Sequence, residues 1–292
     1  MTLPRILLFG RIGQVGWELR RTLSPLCDLA CVEYPEVDFT KPATVRQAIA
    51  GARPQIIINA AAYTAVDKAE TEVALATAVN ATAPAIMAEE AKKLGALLVH
   101  YSTDYVYDGA KTTPYVESDP TGPLGAYGRT KLEGDQAIAA VDCNHLIFRL
   151  CWVYGARGAN FMLTMQRFAR EREKLRVVAD QFGSPSWSRM IAETTALALA
   201  RIQSPDHAAK LKGVYHLCSS GHTSWHGFAS AIIQAMPETE RKCREIEAIP
   251  TSAYPTPTQR PAYSVMSCAK LEKAFGLRLP DWKHCLDLVL ER

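Results

Sequence analysis

Short apolar segments alternate with helical ones along the first half of the chain. Five segments are apolar on both faces, as buried parallel strands are, at residues 5–9, 29–33, 55–59, 96–101 and 145–150. Helical periodicity occupies the stretches between them, at residues 14–23, 42–50, 72–93 and 127–140. This alternation predicts the α/β class, with a doubly wound parallel sheet and right-handed crossovers over residues 1–150.

The regular alternation of strands and helices ends after Trp152. Helices are predicted at 160–172, 188–203 and 224–235, short strands at 175–179 and 214–218, and a proline-rich loop at 249–261. With 292 residues the chain is long enough for a second lobe. We therefore expect a smaller, mixed α/β substrate lobe over residues 151–292, with some elements of about 175–218 returning to the main sheet.

Composition narrows the classes of function. A hydrophobic fraction of 48% and a charged fraction of 22% exclude a disordered or fibrous protein. The net charge of +3 comes from 33 basic and 30 acidic residues that are scattered along the chain. Because no basic run is interleaved with aromatic residues, nucleic acid is not an expected partner.

The cysteines and the N-terminus both predict a cytoplasmic protein. No C-x-x-C pair occurs, so the eight cysteines are expected to be structural thiols rather than disulfides or zinc ligands: Cys27, Cys31, Cys143, Cys151, Cys218, Cys243, Cys268 and Cys285. The first apolar run has only four residues, too few for a signal peptide or a membrane span. We expect no membrane association.

A glycine-rich turn follows the first strand. Gly10, Gly13 and Gly16 stand in a G-x-x-G-x-x-G spacing at the start of a helix, where glycines allow a tight turn and close approach of a pyrophosphate. Glu33 ends the second strand, at a position from which an acid can bind the adenosine ribose. The order strand, glycine turn, helix and acid predicts a Rossmann dinucleotide site. A carboxylate there favours NADH over NADPH, an effect that Arg11 can partly offset.

Tyr127 and Lys131 are four residues apart in a predicted helix and so share one face. A phenol has a pKa of ~10, and an ammonium ~5 Å away at an effective dielectric of ~20 would lower it by roughly two units. The pair therefore predicts a tyrosine with a pKa near ~7 to 8 that protonates a carbonyl oxygen as a nicotinamide delivers hydride. Alone, the spacing favours a solvated helix face, since any helix can carry such a pair by chance.

Polar residues at two strand ends favour the catalytic interpretation. Ser102 and Thr103 end the fourth strand, and residues 59–70 follow the third. The carboxyl ends of parallel strands are where doubly wound sheets bind ligands. We therefore expect these segments and the Tyr127 helix to meet at one crevice.

The chain resembles the dTDP-4-dehydrorhamnose reductases, a branch of the extended short-chain dehydrogenase/reductases. The resemblance covers nearly the whole chain and is carried by these segments: LLFGRIGQVGWEL, INAAAYTAVDKAE, HYSTDYVYDG, YGRTKLEGD, FRLCWVYG, NF at 160–161, DQFGSP at 180–185, TSWHGFA at 223–229 and IPTSAYPTPTQRP.

The resemblance implies specific roles. Tyr127 would donate the proton, Lys131 would orient the nicotinamide ribose and lower the Tyr127 pKa, and Thr103 would hydrogen-bond the sugar keto oxygen; Thr103 and Asp104 would touch the substrate. The remaining residues implied to line the NADPH or NADH site are Gly13, Gln14, Val15, Glu33, Asp38, Phe39, Ala62, Tyr63, Thr64 and Tyr101.

A dTDP-sugar would need a cation for its pyrophosphate and flat apolar surfaces for its rings. Trp152, which is similar to the family's sugar-contacting tryptophan, Trp225 and Arg260 are the candidates. A role in the core is equally consistent with Trp225, and a surface ion pair with Arg260.

Simple carbonyl reduction is the reaction that the resemblance favours. Related dehydratases place a glutamate directly after the Thr-Asp pair, where this chain has Tyr105, and related epimerase/reductases place a cysteine near Asp104, whereas none occurs between Cys31 and Cys143. The implied reaction reduces dTDP-4-dehydro-β-L-rhamnose. Two alternatives remain: a reductase of another nucleotide 4-keto sugar, and a non-catalytic regulatory subunit like methionine adenosyltransferase β, which resembles the same enzymes.

The chain departs from the family pattern in three places. Gly125 replaces an asparagine before the catalytic tyrosine, and RLCWVYG replaces RTSWVYG, so some pocket polarity is expected to be lost. Arg189 stands where magnesium-dependent dimers of the family have an acid, which leaves Glu18 without its companion. We therefore expect a monomer or weak homodimer that needs no magnesium. The histidines show no ligand spacing, so no catalytic metal is expected, and His100 is expected to be a satisfied core residue.

Overall fold

A computed structural model describes residues 3–291. The first half contains five strands and five helices, which alternate as the apolar pattern predicts: β1 (Arg5–Phe9), α1 (Gln14–Leu23), β2 (Asp28–Val32), α2 (Pro42–Ala52), β3 (Ile56–Asn59), α3 (Val73–Thr77), α4 (Ala83–Leu94), β4 (Leu97–Thr103), α5 (Ala126–Val141) and β5 (His145–Leu150).

The second half mixes short strands with helices. Its elements are β6 (Val153–Tyr154), α6 (Phe161–Glu171), β7 (Lys174–Val178), β8 (Phe182–Gly183), β9 (Ser186–Trp187), α7 (Ser188–Ala200), α8 (Pro205–Lys210), β10 (Gly213–His216), β11 (Thr223–Ser224), α9 (Trp225–Gln234), β12 (Glu245–Ile249), α10 (Ala269–Phe275) and α11 (Trp282–Leu290).

Six strands form the central sheet, in the order β10-β5-β4-β3-β1-β2, and every neighbouring pair is parallel. The predicted doubly wound α/β fold is confirmed. Since all six strands run the same way, their carboxyl ends lie along one edge, where the glycine turn, Thr103 and the segment after β3 come together.

Apolar side chains cover both faces of the sheet. On one face Leu8 and Val99 pack with Ile191 of α7, and on the other Leu7 and Leu98 pack with Met87 of α4. A separate core holds the second lobe together, with Phe228 of α9 and Trp282 of α11 at its centre. Thus β10 and α7, although late in the chain, belong structurally to the central sheet. The division of the chain at residue 150 stays a prediction.

The observed elements differ from the predicted ones at identifiable features. The helix predicted over 72–93 is interrupted at Ala78–Thr82 by a π-helical turn, which carries the buried Asn80. The loop predicted from residue 249 begins one residue later, because Ile249 ends β12, a strand paired with β7 outside the central sheet. All eight cysteines are free thiols. No helix within residues 3–291 is long and apolar enough to cross a membrane.

Candidate active site

Two glycines shape the turn between β1 and α1, residues 10–16, hereafter the glycine turn. Gly10 has a φ of +84°, and a Cβ there would lie 2.5 Å from the backbone nitrogen of Ala61. A Cβ on Gly16 would lie 1.9 Å from the carbonyl oxygen of Gly10. Both positions therefore require glycine for the packing of the turn itself.

Gly13 is different, because the protein does not need it for packing. A Cβ at Gly13 would make only an ordinary contact, 3.5 Å from the Gly10 carbonyl oxygen. Helix α1 starts at Gln14 with no side chain capping its amides. The absent side chain thus leaves room beside free N–H groups at a helix N-terminus, an arrangement that suits the pyrophosphate of a dinucleotide. Gln14 and Val15, predicted to lie along it, form the first turn of that helix.

The acid predicted to bind the adenosine ribose lies beside the glycine turn. One carboxylate oxygen of Glu33 accepts a long hydrogen bond of 3.4 Å from the amide of Ile12. Arg11 turns away from Glu33, because its guanidinium donates to Glu36 at 3.2 Å and to the Cys31 carbonyl at 3.0 Å. Sequence reasoning missed Glu36, which neutralises the cation that was expected to offset Glu33.

The other predicted cofactor residues line the same edge of the sheet. Phe39 is half-buried, with its ring 6.1 Å from that of Phe9 at the end of β1. Asp38 accepts from both the amide and the hydroxyl of Thr40, which holds the pKa of Asp38 below its usual range. Both residues belong to the segment between β2 and α2, on the adenosine side.

Residues 62–64 follow β3 and are held by Asn80 of the π-helical turn. Its side-chain oxygen accepts from the amide of Tyr63 at 2.9 Å, and its nitrogen donates to the Tyr63 carbonyl. Ala62 is half-buried and Thr64 is exposed. Sequence reasoning missed Asn80; an asparagine inside a helical pattern was the available signal.

Tyr127, Thr103 and Asp104 form a polar group, hereafter the catalytic cluster. The Thr103 hydroxyl lies near enough to the Tyr127 phenol to lower its pKa, and Thr103 Oγ1 donates to Asp104 Oδ1 at 3.0 Å. Burial raises the pKa of Asp104, and hydrogen bonds from Ser264, Cys151 and Thr103 oppose that rise. The structure therefore brings together the three residues that the sequence placed at this end of β4 and α5.

The expected lowering of the Tyr127 pKa is wrong for the protein in this state. Desolvation raises the pKa of Tyr127 to about 12, although the neighbouring Thr103 hydroxyl works in the other direction. The prediction included the charge of Lys131 but not the desolvation of the phenol, and desolvation has the larger effect on this pKa. A tyrosine with this pKa keeps its proton at neutral pH.

Lys131 is directed toward β4. Its ammonium donates to the Tyr101 carbonyl oxygen at 2.6 Å and lies 3.2 Å from His100 Nε2. Desolvation lowers the pKa of Lys131 to about 8. Tyr101 contributes only its carbonyl to this site, because its ring lies in the core and its hydroxyl is 2.8 Å from that of Thr195.

The predicted proline-rich loop closes over the start of α5. Thr258 donates to the Val66 carbonyl and to Glu70, and Glu70 accepts from the amide of Ala126 at 2.9 Å. A Cβ at Gly125 would lie 2.5 Å from the Thr258 methyl carbon and 2.7 Å from Glu70. Thr258 and Glu70 therefore occupy the space that a side chain at residue 125 would need.

Arg260 lies in the same loop, close to the catalytic cluster. Its guanidinium pairs with Asp67 at 3.0 Å, and its Nε has no partner. Burial raises the pKa of Tyr105 and the Arg260 charge opposes that rise, while the Tyr105 ring meets Tyr127 edge-on at 5.7 Å. The ion-pair alternative is thus observed, and one donor of Arg260 is left over.

Trp152 and Trp225 stack on each other, with ring centroids 3.5 Å apart and planes 8° from parallel. Trp152 has a φ of +44°, which is strained for a large side chain. Gly183 lies flat against its ring, where a Cβ would be 2.4 Å away. Trp225 also packs partly into the core of the second lobe. The two tryptophans form one aromatic unit, held in a strained position.

The two other departures from the family pattern that the sequence showed, at Cys151 and at Arg189, are accounted for by their contacts. Cys151 donates its thiol proton to Asp104 Oδ2 at 3.2 Å, so polarity beside the catalytic cluster is kept. Arg189 pairs with Glu18 at 3.3 Å across α1 and α7. Within residues 3–291, no group of three or more His, Cys, Asp or Glu side chains is arranged to hold a metal ion.

Comparison with known proteins places this site in a family. The chain matches the family described as RmlD substrate binding domain over residues 4–292. It is 48% identical to a dTDP-4-dehydrorhamnose reductase of Burkholderia thailandensis, covering 98% of both chains. Its identity to the enzyme of that name in Escherichia coli K12 is 44%, over 95% of this chain and 94% of the other.

Solved structures agree. A dTDP-4-dehydrorhamnose reductase of Clostridium acetobutylicum superimposes with a TM-score of 0.90 at 33% identity, covering 98% of each chain. The Bacillus anthracis enzyme in complex with NADP gives 0.89 at 32% identity, covering 99% of each. This chain therefore belongs to the RmlD substrate binding domain family, among the dTDP-4-dehydrorhamnose reductases.

Proposed function

We propose that this chain reduces the C4 keto group of dTDP-4-dehydro-β-L-rhamnose, forming dTDP-L-rhamnose, with NADPH or NADH as the reductant. The observation that carries the proposal is the proximity of the Tyr127 and Thr103 hydroxyls, at the edge of the sheet that also holds the glycine turn. Two hydroxyls side by side can both bind one keto oxygen. The names of the relatives supply the sugar and the nucleotide.

The bound nicotinamide supplies a hydride to the keto carbon. The chain's own residues must hold the keto oxygen, give it a proton and exclude other chemistry. Thr103 hydrogen-bonds the oxygen, and Tyr127 donates its phenolic proton as negative charge develops there. Lys131 hydrogen-bonds the nicotinamide ribose and stabilises the tyrosinate left behind, which relieves the high pKa that burial imposes.

The substrate's diphosphate and rings are assigned to the second lobe and its loop. Arg260 has an unpaired Nε and a second nitrogen that can exchange Asp67 for a phosphate oxygen. Trp152 and Trp225 offer a rigid aromatic surface for the apolar face of the sugar. Asp104 is held in its buried position by hydrogen bonds from Thr103 and Cys151 and binds a ring hydroxyl. No metal takes part.

Substitution of Tyr127 by phenylalanine tests the reaction. The 4-keto sugar is mixed with NADPH or NADH, and cofactor oxidation is followed by absorbance. Tyr127→Phe is expected to lower kcat by about 10²–10⁴-fold, because the proton donor is lost, while cofactor affinity stays as in wild type.

Tyr154→Phe is the matched control, since the buried Tyr154 hydroxyl has no hydrogen-bond partner; its kcat should not change. A wild-type protein that binds cofactor but oxidises none with any nucleotide 4-keto sugar would instead support a regulatory subunit. Turnover with a different nucleotide sugar alone would change the assigned substrate.

The assembly is proposed to be a monomer or weak homodimer in the cytoplasm, independent of magnesium. The ion pair of Arg189 with Glu18 supports this, because the arginine occupies the position from which an acid would bind the metal. Light scattering should give the same mass with and without EDTA. A dimer that dissociates on chelation would contradict the proposal.

A further inference from the structure

Lys131 is a buried cation whose nearest contacts carry no negative charge. Its side chain is 1% exposed. The carbonyl oxygen of Tyr101 accepts one of its protons, and the next contact is the imidazole of His100. A buried ammonium without a counter-charge loses its proton. A neutral amine could not stabilise the tyrosinate, so the source of the compensating charge matters for the reaction.

His100 does not supply that compensation. The Asn59 side-chain oxygen accepts from the Ala61 amide at 3.2 Å, so the Asn59 nitrogen faces His100 Nδ1 at 3.0 Å and donates to it. A neutral imidazole carries no charge that could balance the Lys131 ammonium. Burial lowers the pKa of His100 well below its usual value, which keeps the ring neutral.

Asp135 is the carboxylate next to this pair, and one of its oxygens is uncommitted. Oδ2 accepts from Ser102 at 2.9 Å and from Arg149 at 3.3 Å. Oδ1 is buried without a hydrogen-bond partner and lies 4.0 Å from His100 Nε2. Tyr127, Lys131 and Asp135 follow one another at intervals of four residues, so all three share one face of α5. Arg149 and Ser102 thus fix the carboxylate, while its other oxygen lies nearest to His100, the residue that contacts the Lys131 ammonium.

We propose that Asp135 is the buried counter-ion that keeps Lys131 charged, and that it acts as a positioning residue for the reduction. Neither the spacing of Tyr127 and Lys131 nor the resemblance assigned it a role. The proposal rests on the proposed function, because its readout is the pH dependence of that activity.

The sign of the expected pH dependence follows from the charges around the pair. The titratable groups that face it are His100 from β4, Arg149 from β5 and Tyr127 from α5. Lys131 is charged below its pKa of about 8 and neutral above it, so activity that needs the ammonium is lost as pH rises through that value. Removing the Asp135 charge lowers the Lys131 pKa further, and the loss should begin at lower pH.

The test is the kcat–pH profile of Asp135→Asn from pH 6 to 9. The amide keeps the size of the side chain and removes its charge. We expect the ratio of kcat at high pH to kcat at low pH to fall by about tenfold relative to wild type, the change that a pKa shift of one unit produces. Asp135→Glu restores a carboxylate and should return the profile toward that of wild type.

Asp142→Asn is the matched control. Asp142 ends the same helix, is exposed and pairs with Lys212, so its removal should leave the profile unchanged. A uniform loss of kcat at every pH in Asp135→Asn, or no rescue by glutamate, would overturn the proposal in favour of a purely structural role. Failure of the proposed function is distinct, because wild type itself would then be inactive.

A second measurement covers the case in which Asp135→Asn does not fold. In wild-type protein with ¹³C-labelled lysine, the Cε resonance of Lys131 should titrate far below those of the exposed lysines, whose pKa values are about 10.4. An ammonium at pH 7 agrees with a counter-ion at Asp135. A Lys131 that is already neutral at pH 7 would contradict it.

Discussion

The two halves of the site are built on different principles. The glycine turn combines missing side chains with free backbone N–H groups, and the charges beside it, Glu33 and Glu36, are accessible to solvent. In the proposed catalytic half, the charged residues Lys131, Asp135 and Asp104 are all buried. The glycine turn thus presents a shape to the ligand, and the catalytic half presents an electrostatic environment.

The difference shows which half tolerates change. A shape made of backbone is altered only where a side chain is added, and its surface charges are screened by salt. Salt does not screen a buried network in this way, because each charge there is balanced by another charge inside the protein. Substitutions at the glycine turn should therefore act on cofactor binding, and also on folding where the added side chain displaces the turn, whereas those in the catalytic half should act through the pH dependence of turnover.

The largest expected effect separates two glycines of the same turn. Gly16→Ala places a Cβ 1.9 Å from the Gly10 carbonyl oxygen, so the turn must move, at a cost of about 1–3 kcal/mol or more. Gly13→Ala makes only an ordinary contact inside the protein. We expect Gly16→Ala to lower both the melting temperature and cofactor binding, and Gly13→Ala to weaken only cofactor binding, by about tenfold or more.

Thermal unfolding and fluorescence titration with NADPH measure the two quantities separately. Gly51→Ala in α2, where a Cβ meets nothing within 4 Å, controls for adding a methyl group. Normal cofactor binding by Gly13→Ala would mean that the space above this glycine is not the pyrophosphate site.

Sequence reasoning succeeded where a local pattern has a local cause. Strands β1 and β5 and helix α1 have the predicted bounds, because apolar runs and periodicity report directly on burial. The glycine turn was found for the same reason. The short strand β12 was missed because its pairing partner, β7, lies some 70 residues earlier, and an exposed strand with alternating charges has little apolar signal.

The pKa shifts in the catalytic half could not be predicted from local patterns. The spacing of Tyr127 and Lys131 correctly predicts that they share a helix face, but desolvation is a property of the whole fold, and it reversed the predicted direction of the Tyr127 pKa shift. Likewise, Gly125 appeared to remove polarity, whereas Thr258, more than 130 residues later, fills that space. Contacts between residues so far apart in the chain leave no local pattern in the sequence.

The smallest expected effect tests the exposed charge at the glycine turn. Glu33 lies where the 2′-phosphate of NADPH would approach, and Arg11 is held by Glu36. Glu33→Gln should therefore raise affinity for NADPH relative to NADH by roughly fivefold, since a solvated charge pair at such distances is worth about 1 kcal/mol. Asp28→Asn, at the far end of β2, removes the same charge and should leave the ratio unchanged.

Salt should act differently on the two halves of the site. At about 0.5 M salt the Debye length is well below 10 Å, so the gain from Glu33→Gln should largely vanish. The displaced kcat–pH profile of Asp135→Asn should persist under the same conditions, because ions do not reach a carboxylate buried between α5 and the sheet. If both effects faded equally with salt, the catalytic half would be as accessible to solvent as the glycine turn, and the counter-ion proposal would lose its physical basis.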